Sequence, residues 1–303
     1  MNKYPTLTIG IPAYNEQENI KNLLDDLAKQ DYAGVALKQI IIASDGSTDQ
    51  TAEIVRSYPN PKIKLIDNSD RRGVAARQNQ IIDRTSTDVL VLLDADIRIK
   101  DPKFIEKMIT PIINGQADLT SSALQELPSP GLLGSALITS MKIKTHLFES
   151  WKNGNNGYLC HGPTRAFCKK LYQTTKFIVN DGEDMYSYLV CIKNNFRFQY
   201  VRSAVALYQV PSTLKDHLKQ SIRFFKYHSD FSAFFEKDLI ARELRIPISA
   251  YLSGAVKSVP IVIHRLHHVI LYVLLVILIK VLVLIHVGPL DLWGASSTKV
   301  KTV

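Results

Sequence analysis

The sequence predicts an α/β protein on a doubly wound, mostly parallel sheet of Rossmann-like type. Three observations predict it. Four short apolar runs alternate with helical patterns over the first hundred residues. Each run ends in polar residues of unusual character. Apolar residues make up 46% of the 303, enough for the substantial core of one large domain with an appendage.

The first run, "TLTIGIPAY" (6–14), precedes "EQENIKNLLDDLAKQ", where Ile20, Leu23, Leu24 and Leu27 recur at helical spacing. "QIIIAS" (39–44) precedes "TDQTAEIVRSY", with Thr48 or Asp49 as its N-cap. "KIKLIDN" (62–68) precedes "GVAARQNQIIDRT", and "DVLVLLDADI" closes the series. "ADLTSSALQEL" reads as a further strand and residues 131–151 as an amphipathic helix. A loop-like "KNGNNGYLCHGPTRAF" follows, then a helix over "MYSYLVCI" opened by acidic residues. Beyond Pro211 the chain turns basic and aromatic.

Composition narrows the classes of partner. A net charge of +9 points to an acidic partner, a phosphate-bearing ligand or an anionic membrane surface. No basic helix, zinc-finger spacing or aromatic RNA motif supports nucleic acid. Cys160, Cys168 and Cys191 are odd in number and lack CxxC spacing, so neither a disulfide framework nor a zinc site is expected, which fits a reducing compartment. No secretory signal opens the chain.

Residues 269–287 are apolar except for Lys280 and His286, close to the length that crosses a bilayer. Lys280 would snorkel or pair with a second copy or another membrane protein. Arg242, Arg245, Lys257 and Arg265 precede this run and Lys299 and Lys301 follow it, which keeps the large N-terminal part cytoplasmic in a single-pass arrangement. The expected organisation is a catalytic domain over 1–235, interfacial helices over 236–268 broken at Pro247 and Pro260, a transmembrane helix over 269–287 and a short tail over 288–303.

The strand ends carry the chemistry. Pro12-Ala13-Tyr14-Asn15-Glu16, Asp45-Gly46-Ser47-Thr48-Asp49, Asn68 and Asp94-Ala95-Asp96 all fall at carboxyl ends, where open α/β sheets bind ligands near helix N-termini. Neither a G-x-G-x-x-G nor a G-x-x-x-x-G-K-[ST] loop is present, which argues against dinucleotide and P-loop folds. Asp94 and Asp96 can face one Mg2+ or Mn2+ together with diphosphate oxygens. Taken alone, Asp94 could instead cap a turn while Asp96 stays solvated.

The ordered motifs "IPAYNE", "SDGSTDQT", "RGVAARQN", "LLDADI", "NDGED" and "QSIRFF" change that balance. From about Leu7 to Phe224 the chain resembles the inverting GT-A-type nucleotide-sugar glycosyltransferases of family 2. That group includes cellulose, chitin and hyaluronan synthases and polyprenyl-phosphate sugar synthases. The resemblance implies that Asp45 bonds the nucleobase and that Pro12, Tyr14 and Glu16 frame the nucleoside. Gly73 would let the backbone approach the nucleotide and Arg77 would place a cation there, although Gln78 stands where the family has Asn. It implies that Asp94 and Asp96 hold the metal, Asp96 the more direct ligand. Asp184 would be the general base, with Glu183 orienting it or the acceptor. Gln220, Arg223 and Phe224 match the family's Gln-x-x-Arg-Trp, with Phe for Trp: Arg223 would contact the diphosphate, and the other two the acceptor. Cys160 and His161 would line the acceptor entrance or belong to core and loop.

The expected function is a metal-dependent transfer of a sugar, UDP-linked by expectation, to a hydroxyl of a lipid-linked or saccharide acceptor in exopolysaccharide, glycolipid or cell-envelope synthesis. The alternatives are a polyprenyl-phosphate sugar synthase and a catalytically silent nucleotide-sugar-binding membrane partner.

Overall fold

The computed structural model describes residues 4–178, 182–227 and 231–284. The expected tail with Lys299 and Lys301, positions 285–287 of the apolar run and the side chains of 222–227 lie outside the described residues.

In chain order the first part contains β1 (Thr6–Ala13), α1 (Ile20–Ala28), β2 (Ala36–Asp45), α2 (Thr51–Ser57), β3 (Ile63–Asn68), α3 (Val74–Asp83), β4 (Val89–Leu93) and α4 (Phe104–Ile113). Then come β5 (Leu119–Glu126), α5 (Gly131–Glu149), β6 (Thr164–Cys168), α6 (Lys169–Thr174), α7 (Glu183–Lys193) and β7 (Phe198–Tyr208). The chain continues through α8 (Leu214–Tyr227), α9 (Lys237–Leu244), α10 (Ile248–His264) and α11 (Leu266–Leu284).

The seven strands form one sheet in the order β3-β2-β1-β4-β6-β5-β7. The β3-β2-β1-β4 half is parallel, and β6 runs antiparallel to both β4 and β5. Every residue of β1 and β4 is buried, as central strands covered on both faces require, so these strands read as continuous apolar runs. Helix α1 turns Ile20, Leu23, Leu24 and Leu27 into the core, which accounts for their spacing.

Two expectations change. The stretch expected to be loop holds β6, whose "TRAFC" places an arginine inside a short buried strand and so breaks the apolar run that would have marked it. Pro260 does not end a helix; it lies inside α10, and the break comes at Arg265. A proline there removes one backbone hydrogen bond but leaves the rest of the ladder.

The chain groups into two compact units. One is formed by the described residues up to Gln125 together with those of Cys160–Tyr208; the other takes Glu126–Leu159 and the described residues from Gln209 to Leu284. The first holds the whole sheet except for the last residue of β5.

In the second unit α5 lies against α10. Ala250, Gly254 and Ser258 form the buried stripe of α10 at four-residue spacing, and Ser258 Oγ meets His146 Nδ1 at 3.2 Å. A Cβ on Gly254 would sit 2.6 Å from Leu147 Cα, closer than real side chains come to backbone. Gly254→Val is therefore expected to part these helices and cost about 2 kcal/mol or more. A melting point lowered by several degrees in detergent would register it.

The side of α10 away from that stripe is apolar and bare, with Ile248, Val256 and Ile263 at 77%, 71% and 70% exposure. By length and composition the stretch Lys237–His264 could cross a membrane, and Leu266–Leu282 is a shorter apolar helix. The candidate span thus falls within the segment expected to be interfacial, because the helix runs on through Pro260.

Candidate active site

The carboxyl ends of β1 and β2 are adjacent because the strands pair in parallel, Ala13 opposite Ser44. Their loops are tied together by side chains. Asn15, in the left-handed region at φ 55°, donates its N–H to Ser47 Oγ (3.2 Å) and accepts from Thr48 N (2.8 Å) through Oδ1. The Glu16 and Gln17 amides donate to Thr51 Oγ1 (2.7 Å) and Asp49 Oδ2 (3.1 Å). Asp49 Oδ1 also accepts from the Thr51 amide at the start of α2, whose N-cap is Gln50 rather than the expected Thr48 or Asp49.

Asp45, at the end of β2, is fully buried. Its Oδ1 accepts from Arg72 N (2.8 Å) and Arg77 Nε (2.5 Å), and its Oδ2 accepts from Gly73 N (3.0 Å). Arg77 is buried too, and its Nη2 reaches Asp70. Arg77 thus does not offer the exposed cation beside a nucleotide that the sequence led one to expect; buried in the fold, it is the counter-ion of Asp45. Gly73 precedes α3 at φ 90°, a conformation that favours glycine, and this aims its amide at Asp45. Pro12 is buried within β1, and the Arg71 guanidinium lies 4.2 Å above the half-buried Tyr14 ring.

Because the Asp45–Arg77 pair is buried, removing one partner strands a charge. Arg77→Met is expected to cost about 3–5 kcal/mol, read as a lowered denaturant midpoint.

The second cluster begins past β4, where Asp94 N donates to the Pro163 carbonyl (3.0 Å). Burial, then the neighbouring charges of Asp96 and Glu183, push the Asp94 carboxyl well above its ordinary range, with Arg165 opposing. Glu16 is raised by burial and by Asp96, while Asn19 donates to its Oε2 at 2.7 Å. Glu16 therefore belongs electrostatically with the Asp94–Asp96 pair. Glu183 and Asp184 open the first turn of α7, after Gly182 in the left-handed region. A Cβ on Gly162 would lie 3.4 Å from Glu183 Oε1 and 3.7 Å from Asp184 Oδ2, so the loop at 160–163 borders both carboxylates.

Of the two residues left open at that loop, Cys160 is core: its thiol is buried, raised by that burial and within 3.9 Å of Ser187 Oγ. His161 faces the carboxylates; burial lowers it to about 4 against the pull of Asp184, so it is neutral at pH 7.

Ten predicted residues thus meet in the first unit: Pro12, Tyr14, Glu16, Asp45, Gly73 and Arg77 around the β1 and β2 ends, and Asp94, Asp96, Glu183 and Asp184 beside them. Gln220 is exposed on α8 in the second unit, and the side chains of Arg223 and Phe224 lie outside the described residues. The sequence reading missed Arg165, fully buried on β6 and paired with Glu183. A lone arginine between Thr164 and Ala166 was the available signal. Among the described residues no group of three or more His, Cys, Asp or Glu side chains closes into a metal cage.

A parallel β3-β2-β1-β4 half-sheet with acidic residues at its carboxyl edge is the arrangement of a GT-A-type fold. The model for glycosyl transferase family 2 matches residues 8–175, more than half of the chain, and the chain belongs to that family. A curated relative, the 4,4'-diaponeurosporenoate glycosyltransferase of Staphylococcus aureus (strain bovine RF122 / ET3-1), is 25% identical over 177 residues, 57% of this chain and 46% of the relative. The chain thus spans about half the length of the curated relatives it matches. Among solved structures, the fold is similar to a mannosyltransferase from Pyrobaculum calidifontis in complex with GDP-Man and Mn2+ (TM-score 0.59, 17% identity, 93% of this chain and 84% of that one). It is also similar to glucosyl-3-phosphoglycerate synthase from Mycobacterium tuberculosis in complex with Mn2+, UDP and phosphoglyceric acid (TM-score 0.54, 15% identity, 80% of each).

Proposed function

We propose that this chain is a membrane-attached inverting glycosyltransferase that moves a sugar from a nucleotide-sugar, UDP-linked by preference, to a hydroxyl of a lipid-linked or saccharide acceptor. The observation that carries the reading is the meeting of two carboxylate pairs, Asp94–Asp96 and Glu183–Asp184, whose charges act on one another in a partly desolvated setting. A pure binding module has no use for the second pair.

Asp45, fully buried and held by Arg77 and two backbone amides, acts on the nucleobase side only indirectly, by fixing the Gly73 turn beside Tyr14. Asp94 and Asp96, with Glu16 close by, fit a divalent cation: they are hard oxygen donors, and burial, then the charge of Asp96, raises Asp94 and Glu16, a strain that Mg2+ or Mn2+ would relieve. Two protein carboxylates leave coordination places for diphosphate oxygens, which suits the lack of a protein cage among the described residues. A bound cation would supply charge neutralisation as the nucleoside diphosphate departs. Asp184 takes the acceptor hydroxyl proton as the oxygen attacks the anomeric carbon, and Glu183 orients it. The bare apolar side of α10 and the apolar α11 would seat the chain in the bilayer, with the sheet on the cytoplasmic side.

A donor screen on detergent-extracted protein tests this reading. Nucleoside diphosphate release from one sugar nucleotide, lost on adding chelator and restored by Mn2+, is expected. Tight nucleotide binding without release from any donor would contradict it.

A further inference from the structure

Arg165 is a buried charge that the chemistry above does not use. It sits on β6 opposite Leu92 of β4, two positions before Asp94, and opposite Ser121 of β5. The side chain is fully buried. Its Nη1 donates to the Glu183 carbonyl (2.9 Å) and to Ser187 Oγ (3.1 Å), both on α7. Its Nη2 is 3.7 Å from Glu183 Oε1, an ion pair too long for a hydrogen bond. Among the described residues, Nε and Nη2 find no hydrogen-bond partner. The Phe177 ring lies 5.5 Å from the guanidinium carbon.

As a stabilising device this arrangement is poor. A buried guanidinium loses its hydration, and one long ion pair, with two nitrogens unsatisfied among the described residues, does not recover it. An apolar side chain would serve the sheet better. What Arg165 does achieve is to tie the first turn of α7 to the strand beside β4, so that the two carboxylate pairs sit on elements joined through one cation. The same charge opposes the raised pKa of Asp94.

We propose that Arg165 is a positioning residue for the transfer, clamping the first turn of α7 so that Glu183 and Asp184 face the acceptor, with Nη2 closing on the Glu183 carboxylate in the reacting complex. The proposal rests on the transferase reading above for the roles of those two carboxylates. Displacing a reacting group by about 1 Å can cost about 100-fold in rate, which sets the size of the effect.

The test compares Arg165→Met and Arg165→Lys with the wild-type full chain in detergent, by kcat, donor KM and melting temperature. Arg165→Met is expected to lower kcat about 100-fold while donor KM stays within about threefold, with a melting temperature no lower than that of the wild type. Arg165→Lys, which keeps the charge and one donor to the Glu183 carbonyl, is expected to regain at least about tenfold in kcat. Retention of kcat within twofold in Arg165→Met would overturn the proposal. So would parallel losses of kcat and melting temperature with no recovery by lysine. If the methionine variant does not fold, Arg165→Gln takes its place and the kcat-against-KM split with lysine recovery decides. A wild-type chain that releases no nucleoside diphosphate from any donor sinks the transferase reading itself; an active wild type with an unaffected Arg165→Met sinks only the role of Arg165.

Discussion

Asp184→Asn is expected to lower sugar transfer about 1000-fold, with nucleotide affinity nearly unchanged. The substitution keeps shape and most hydrogen bonding but removes the group that can take a proton. Asp184 sits in the first turn of α7, where Ser187 Oγ donates to its backbone carbonyl (2.7 Å) and the Met185 amide to its Oδ1 (2.7 Å). Neither contact supports the sheet, so the variant should melt close to the wild type. Single-turnover transfer with saturating donor is the measurement. A large loss marks a hydroxyl acceptor; retention of much of the rate would mark a phosphate acceptor, which needs no strong base.

Replacing Asp94 and Asp96 together by Asn is expected to abolish metal-dependent donor turnover and yet stabilise the metal-free protein at alkaline pH. Burial and the charge of Asp96 raise Asp94 to about 8, and Glu16 rises to about 9 by burial and the same neighbour. In the unfolded chain both carboxyls return to about 4. The folded state therefore binds more protons between those limits, and stability falls as pH rises. The contribution is fully present below about pH 4 and lost as pH climbs through 8 to 9. With chelator, the wild-type melting temperature should drop steadily over this range. Mn2+ should restore it at pH 8, and the double Asn variant should show a flatter profile insensitive to Mn2+. A wild-type profile that is flat in chelator would contradict the electrostatic picture.

The parallel half of the sheet was legible because β1, β4 and the stretch of β2 from Ile40 on are buried on both faces and so appear as apolar runs ended by turn residues. The same placement made the β1, β2 and β4 loops readable as one edge. What the pattern hid has physical reasons. β6 carries Arg165, so its apolar run breaks where the functional demand is greatest. Arg77 looks like a helix surface charge until its partner Asp45, 32 positions away, is brought to it by β2 and α3. Glu16 reads as a residue of the nucleoside loop, and only folding shows that it also feels Asp94 and Asp96. The continuation of α10 through Pro260 was hidden because a proline marks a break in sequence more often than in a helix with a free outer face.

The most direct measurement is calorimetric titration of UDP and GDP into the full chain in detergent, with Mn2+ and with chelator. The account predicts that one nucleotide binds with Mn2+, that binding weakens at least tenfold in chelator, and that replacing both Asp94 and Asp96 removes the difference. Binding that ignores Mn2+, or a manganese effect that survives loss of both aspartates, would contradict it.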